Sequence, residues 1–115
     1  MTPPVVIPPW GPTIGGPRAK RLTLTVSRPG GMRTVRLGCT PVYGTHPRAV
    51  EACALLSRAR GNPASVRLPW TGCLQQYDPI AVSATGVWNG RPVQYQRTFS
   101  NPCELRAATG VIFSF

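Results

Sequence analysis

Four cysteines, Cys39, Cys53, Cys73 and Cys103, most constrain what this chain of 115 residues can fold into. No two of them have the C-x-x-C spacing typical of zinc sites, and the chain has a single histidine, so a metal site would need four widely separated thiolates. An even number of cysteines in a short chain predicts two disulfides, and therefore an oxidising compartment. We expect no metal ion and no cofactor.

Two segments before the second cysteine alternate between apolar and polar residues, as half-buried strands do. The first covers residues 22–26, and the second contains Val35, Leu37 and Cys39, with a turn at 29–31 between them. Cys39 should therefore point into the core together with the apolar residues of its strand.

A helix of about three turns is predicted to begin at Pro47, because proline is well tolerated at the first helical position. Val50, Cys53 and Ala54 lie on one face of this helix at i, i+3, i+4 spacing, so Cys53 should also face inward. Cys39 and Cys53 are then the natural pair, and their bond would fasten the helix to the sheet.

The second half of the chain predicts a hairpin, a helix and a last strand. Residues 80–88 and a return strand carrying Arg97 flank Asn89-Gly90, the strongest hairpin signal in the chain, and Arg97 is expected at the sheet margin. Residues 101–104 supply the cap, first-turn proline and capping-box partner of a helix start, and 111–115 should form the final strand. The chain is predicted to be an α+β domain with an antiparallel sheet of about five strands and two short helices.

The net charge of +10 comes from twelve arginines and one lysine against three acidic residues. The cations are scattered apart from Arg18, Lys20 and Arg21, and no repeat of aromatic and basic residues offers a stacking platform, so we expect no specific nucleic-acid partner. No apolar run approaches the ~20 residues of a membrane helix, so we expect no membrane association. Residues 1–20, with six prolines, are predicted to form a mobile, Pro-rich basic arm, and 21–115 the folded domain.

The segment 70–79 is predicted to be an exposed peptide, pinned at its base by Cys73 and stiffened by Pro69 and Pro79. Catalysis would need a base and an oriented nucleophile, and the chain has one histidine, three carboxylates and no catalytic motif. We therefore expect His46 to be structural and the chain to be a binding protein, not an enzyme.

From about Leu22 to Phe115 the chain resembles the Streptomyces subtilisin inhibitor family of serine protease inhibitors. The resemblance rests on Leu-Thr-Leu-Thr-Val at 22–26, Gly-Thr-His-Pro at 44–47, Ala-Cys-Ala at 52–54, Cys73 with Tyr-Asp-Pro at 77–79, Gly-Val-Trp-Asn-Gly at 86–90, Phe-Ser-Asn at 99–101, Cys103-Glu104, and Phe-Ser-Phe at 113–115. It implies a five-stranded antiparallel sheet with two short helices and the disulfides Cys39–Cys53 and Cys73–Cys103. It also implies a homodimer formed through the sheets, and secretion from an actinobacterium into the extracellular space.

In this family the reactive bond lies two residues after the third cysteine, which corresponds here to Gln75–Gln76. The resemblance implies that Gln75 enters the S1 pocket of a subtilisin-like serine protease and that Gln76 begins the leaving side. The loop that contacts the protease would consist of Trp70, Thr71, Gly72, Cys73, Leu74, Tyr77 and Asp78. Asn101 and Cys103 would support this loop from behind.

The chain departs from the family at two positions of this loop. Leu74 and Gln75 stand where the family commonly has Pro followed by Met or Lys, and the uncharged Gln75 fits a shallow, permissive S1 site. Two roles stay open for Asn101, as loop support or helix cap, and two for Trp70, as contact anchor or lid on the sheet.

Two functions from other classes stay open as well. Adjacent glutamines on an exposed loop, Gln75 and Gln76, would suit a transglutaminase acyl-donor substrate. The basic composition would suit a binder of anionic surfaces or nucleic acids.

Overall fold

The computed structural model describes residues 17–69 and 71–115, and within them it contains five strands and two helices. The strands are β1 Lys20–Arg28, β2 Gly31–Gly38, β3 Tyr43–Gly44, β4 Ile80–Trp88 and β5 Arg91–Phe99. The helices are α1 Ala49–Arg58 and α2 Pro102–Thr109, with a short 3-10 helix at Pro63–Ser65. Most of the predicted arm, up to residue 16, lies outside the described residues, and Lys20 is the first residue of β1.

The strands form one antiparallel sheet in the order β3-β2-β1-β4-β5. Side chains alternate across it, so the even-numbered apolar residues of β1, such as Leu24, are buried while the residues between them are partly exposed. Leu24 pairs with Val35 on β2 and with Ala84 on β4, which extends the apolar face across the sheet. Leu56 of α1 and Leu105 of α2 belong to the same buried cluster, so both helices cover this one face.

The hairpin between β4 and β5 confirms the prediction from Asn89-Gly90. Asn89 has φ 51° and Gly90 has φ 76°, and two successive positive φ angles are what a two-residue type I′ turn requires. Trp88 pairs directly with Arg91 across this turn, so the turn sets the register of the two strands.

The buried face of α1 differs in part from the prediction. Ala52, Cys53 and Leu56 are buried, which confirms that Cys53 faces inward, but Val50 is 71% exposed. Val50 precedes Ala52 by two residues and so lies about 200° around the helix from it. The bond from Cys53 to Cys39 fixes which side of the helix faces the sheet.

His46 has a structural role, and its position corrects the predicted helix start. The ring is 5% exposed, its Nδ1 accepts a hydrogen bond from the Arg48 N–H (2.9 Å), and its Nε2–H donates to the Ile112 carbonyl (2.8 Å). The helix begins after these contacts, at Ala49, and the predicted first residue, Pro47, lies two residues outside it.

The strand predicted at 111–115 is wrong, although the strand count is right. The segment is turned, with the Ser114 N–H donating to the Val111 carbonyl at 3.1 Å, and it buries Ile112 and Phe113 in the core. The fifth strand is instead β3, which pairs with the end of β2. A run of five residues, four of them apolar, has no periodicity that distinguishes a strand from a buried turn.

Both disulfides are formed as expected. Cys39–Cys53 joins the end of β2 to α1, and Cys73–Cys103 joins the segment before β4 to the first turn of α2. Within residues 17–69 and 71–115, no helix is long and apolar enough to cross a membrane.

Candidate functional site

The segment 71–79, which precedes β4, has no regular secondary structure and projects its side chains into solvent. Leu74 is 87% exposed and Tyr77 is 83% exposed, and Gln75 and Gln76 between them are also exposed. These two exposed apolar side chains lie within four residues of each other and are available to a partner. We call residues 71–79 the presented loop.

A covalent anchor holds the presented loop on its N-terminal side. Cys73 is bonded to Cys103, the second residue of α2, and lies two residues before Gln75. The loop backbone is therefore tied to a helix directly before its most exposed part.

Asn101 anchors the loop from behind on the other side of Gln75. Its side chain is 5% exposed, and its Nδ2–H donates to the Gln76 carbonyl at 2.8 Å. Its Oδ1 accepts the Glu104 N–H at 2.9 Å, which is the N-cap bond of α2. The carbonyl end of one amide group caps the helix while its amino end holds the loop, so the two roles left open by the sequence coexist.

Asp78 ties the end of the loop to the neighbouring strands. Its backbone N–H donates to the Ser100 carbonyl at 2.8 Å, and its carboxylate pairs with the Arg28 guanidinium at 2.5 Å. Both charged side chains are nearly half exposed, so solvent screens the pair and it contributes little to stability. Arg28 could not be predicted from the sequence, because the pair joins residues 50 positions apart and leaves no local pattern.

The remaining predicted site residues lie at the margin of the loop or outside the residues that the structure describes. Thr71 and Gly72 are exposed at its N-terminal side, while Trp70 lies outside the described residues. His46 is buried beside Phe115, with the two ring centroids 5.6 Å apart, and takes no part in the loop. Among the described residues, no three His, Cys, Asp or Glu side chains are grouped in a way that could hold a metal ion.

These contacts hold the backbone of the presented loop in place and leave its side chains free to contact another protein. Anchors act at Cys73, at the Gln76 carbonyl and at the Asp78 N–H, so the Gln75–Gln76 peptide lies between them. An extended segment held in this way can pair its main chain with another protein and offer alternate side chains to pockets.

Comparison with known proteins gives the same picture over most of the chain. Residues 18–101 match the model of the family described as subtilisin inhibitor-like. A subtilase-type protease inhibitor of Streptomyces fradiae is 46% identical over 86 residues, a match that covers 72% of this chain and 61% of that protein. Subtilisin inhibitor-like protein 1 of Streptomyces cacaoi is 44% identical over 87 residues, covering 72% of this chain and 79% of that protein. The chain thus spans about three fifths of the length of the Streptomyces fradiae relative.

A solved structure is similar in fold. It is Streptomyces caespitosus sermetstatin, crystallised in complex with Bacillus licheniformis subtilisin, with a TM-score of 0.66 and 30% sequence identity. The similarity covers 84% of this chain and 99% of that chain. With the family model matching residues 18–101, this chain belongs to the subtilisin inhibitor-like family, a family of protease inhibitors and not of enzymes.

Proposed function

We propose that this protein inhibits subtilisin-like serine proteases by binding them as a substrate does, with Gln75–Gln76 as the reactive bond. The family, its Streptomyces relatives and the sermetstatin–subtilisin complex support this proposal. The observation that carries it is the presented loop, exposed at Leu74 and Tyr77 and anchored on both sides of Gln75.

A flexible exposed segment is a protease substrate, whereas the same segment held rigid acts as an inhibitor. A protease pays for ordering a flexible peptide with part of the binding free energy, whereas a loop held beforehand loses little entropy on binding. The bonds at Cys73 and at the Gln76 carbonyl leave few free backbone angles between them. Complexes of this class reach nanomolar to picomolar Kd values with about 1,600 Å² of total buried surface.

The same anchors oppose completion of the cleavage reaction. When the protease serine attacks the Gln75 carbonyl carbon, the peptide C–N bond breaks and the Gln76 nitrogen takes up a proton. The new amine stays in place because the Gln76 carbonyl is bonded to Asn101 and the Asp78 N–H to Ser100. Its effective concentration beside the acyl group is then high, and religation competes with attack by water.

Gln75 determines which proteases can bind. Its amide is uncharged and of medium length, so it fits a shallow S1 pocket and cannot neutralise a carboxylate at the base of a trypsin-like pocket. Leu74, one residue before it, presents an apolar side chain to the adjoining subsite.

The test is titration of subtilisin, trypsin and chymotrypsin with the native protein and with two variants of Gln75. We expect stoichiometric inhibition of subtilisin by the native protein. Gln75→Lys should extend inhibition to trypsin, because the ammonium group would pair with the S1 carboxylate, and Gln75→Pro should abolish inhibition. Undiminished inhibition of subtilisin by Gln75→Pro, no inhibition of trypsin by Gln75→Lys, or no inhibition of any of the three proteases by native protein with both disulfides intact would contradict the proposal.

We also propose that the protein is secreted and forms a homodimer through the sheet face that the helices leave uncovered. Disulfides require an oxidising environment, which supports an extracellular location. The Thr25 and Thr34 hydroxyls lie 3.1 Å apart on two neighbouring strands of the uncovered face. Sedimentation equilibrium of the native protein and of Thr25→Arg tests this, because a bulky cation at the centre of the interface should give a monomer.

The exposure of both loop glutamines supports one alternative function. Gln75 and Gln76 would be accessible to a transglutaminase as acyl donors. Labelling with a fluorescent amine and a transglutaminase tests this, with Gln75→Asn and Gln76→Asn as the variants that should lose the label.

A further inference from the structure

The fold gathers cations from three separate parts of the sequence at one end of the sheet. Trp88 of β4 is paired in the sheet with Lys20 of β1 on one side and with Arg91 of β5 on the other. Arg18 lies two residues before Lys20, where the chain contacts the β4–β5 turn through the Gly90 N–H and the Ala19 carbonyl (3.4 Å).

The end of α1 brings two more arginines to the same place. Arg60 has φ 56° and Gly61 has φ 80°, a reversal of the chain that lays Gly61 against the Trp88 ring. A Cβ at Gly61 would lie only 2.2 Å from the ring, so the backbone beside Arg60 touches Trp88. Arg58 lies in the last turn of α1, two residues earlier. We call Arg18, Lys20, Arg58, Arg60 and Arg91 the cationic end.

The chain's three acidic side chains all lie elsewhere. Asp78 is in the presented loop and Glu104 is in the first turn of α2, beside that loop. Glu51 is in the first turn of α1 and is paired with Arg48 at 2.6 Å. Within the described part of the chain, no carboxylate forms an ion pair with a member of the cationic end.

The cationic end and the presented loop lie at opposite ends of the sheet. β4 begins at Ile80, directly after the loop, and ends at Trp88, so the two regions are separated by about 26 Å of extended strand. A partner on the cationic end would therefore leave the loop free.

We propose that the cationic end binds a flexible linear polymer of phosphodiesters that carries no bases, such as a poly(glycerol phosphate). Four of the five cations are arginines, whose planar guanidinium group matches phosphate oxygens in a bidentate way. Trp88, the ring among them, is 4% exposed and has no face free for stacking on a base, which disfavours single-stranded nucleic acid. Binding of this kind would hold the protein on an anionic surface with the presented loop directed away from it.

The experiment measures binding of the full-length protein to purified poly(glycerol phosphate) teichoic acid as a function of salt. Five phosphate contacts predict a slope of log K against log salt of about −3.5, using the single-strand coefficient of about 0.7 per contact. The triple variant Arg58→Gln, Arg60→Gln, Arg91→Gln should bind about 50-fold more weakly at 0.15 M salt, with a slope of about −1.4.

A matched triple variant separates a site from net charge. Arg33→Gln, Arg97→Gln, Arg106→Gln removes three exposed cations outside the cationic end and gives the same net charge. It should bind within about threefold of the native protein, because charges beyond the Debye length of about 8 Å are screened at 0.15 M salt. Equal losses in the two triple variants would overturn the proposal and assign binding to net charge alone.

Two other polymers test the chemistry of the partner. Tighter binding of single-stranded DNA than of teichoic acid would overturn the assignment in favour of nucleic acid, and equal binding of poly-L-glutamate would overturn the preference for phosphate. No protease takes part in these measurements, so their outcome is independent of the proposed inhibition. Circular dichroism of both triple variants shows that they are folded.

Discussion

Replacement of Asn101 by aspartate should weaken inhibition while leaving α2 capped. The Asn101 Oδ1 caps the helix through the Glu104 N–H, and its Nδ2–H holds the Gln76 carbonyl. Aspartate keeps an acceptor for the cap, where it is as good as asparagine, but it has no donor for the Gln76 carbonyl. The substitution therefore removes one of the two roles and keeps the other.

The expected magnitudes follow from these two bonds. Without the Asn101 donor, about two residues of the loop must be ordered on binding, at about 1 kcal/mol each, so Ki for subtilisin should rise about 30-fold. Asn101→Asp loses this hydrogen bond and places a carboxylate oxygen against the Gln76 carbonyl oxygen in a buried site, so it costs at least about 1 kcal/mol of folding stability and lowers Tm by at least about 4 °C. Asn101→Ala loses the cap as well, so its Tm should fall by about 8 °C with a similar Ki.

The assay is a tight-binding titration of subtilisin together with thermal unfolding of the native protein and the two variants. Similar Ki values with different Tm values would separate the two roles of the side chain. An Asn101→Asp protein that inhibits as tightly as the native one would refute the idea that this bond prepares the loop. A Tm of Asn101→Ala equal to that of the native protein would refute the role in capping.

Three further predictions concern the other anchors and the core. Replacing both Cys73 and Cys103 by alanine should lower stability by about 3.6 kcal/mol in the chain-entropy estimate and turn the protein into a substrate, seen as progressive cleavage by subtilisin on gels. Arg28→Ala should change stability by less than about 1 kcal/mol in urea unfolding, because its pair with Asp78 is screened, and a larger loss would show that the pair is more than a surface contact. Burial raises the pKa of Tyr95 above 10.0, and the neighbouring Arg97 partly opposes this rise. The neutral phenol therefore contributes stability that is complete below pH 10.0 and is lost as the pH rises through the folded-state pKa. In urea unfolding at increasing pH, the free energy of unfolding should fall in the native protein and fall less in Tyr95→Phe. Identical pH profiles of the two proteins would contradict a raised pKa of Tyr95.

Signals that act between near neighbours were predictable from the sequence. Asn89-Gly90 predicted its hairpin because few residues tolerate two successive positive φ angles. Asn101-Pro102 predicted the start of α2 because the cap and the first-turn proline act within one turn.

Features that depend on distant parts of the chain were not predictable. Val50 and Ala52 are both apolar, and only packing against the sheet decides which of them is buried. The pair of Arg28 and Asp78 forms because the end of β1 lies beside the presented loop in the folded sheet. The two contacts of Asn101 were also not predictable, because local sequence rules treat helix capping and loop support as alternatives. In the structure its Oδ1 caps α2 while its Nδ2–H binds the Gln76 carbonyl.

The position of the reactive bond came from the resemblance and not from local chemistry. Composition and prolines indicated an exposed segment at 70–79, but nothing in them distinguishes the peptide bond after Gln75 from its neighbours. We therefore propose a direct test of whether Gln75–Gln76 is the bond that subtilisin attacks.

The most direct test is mass spectrometry of the protein after prolonged incubation with a catalytic amount of subtilisin. We expect a species heavier by one water whose two pieces, 1–75 and 76–115, stay joined by Cys73–Cys103 and separate on reduction. Intact and cleaved protein should reach the same ratio from either direction, as religation requires. Cleavage at another bond, or complete degradation without such an equilibrium, would contradict the account.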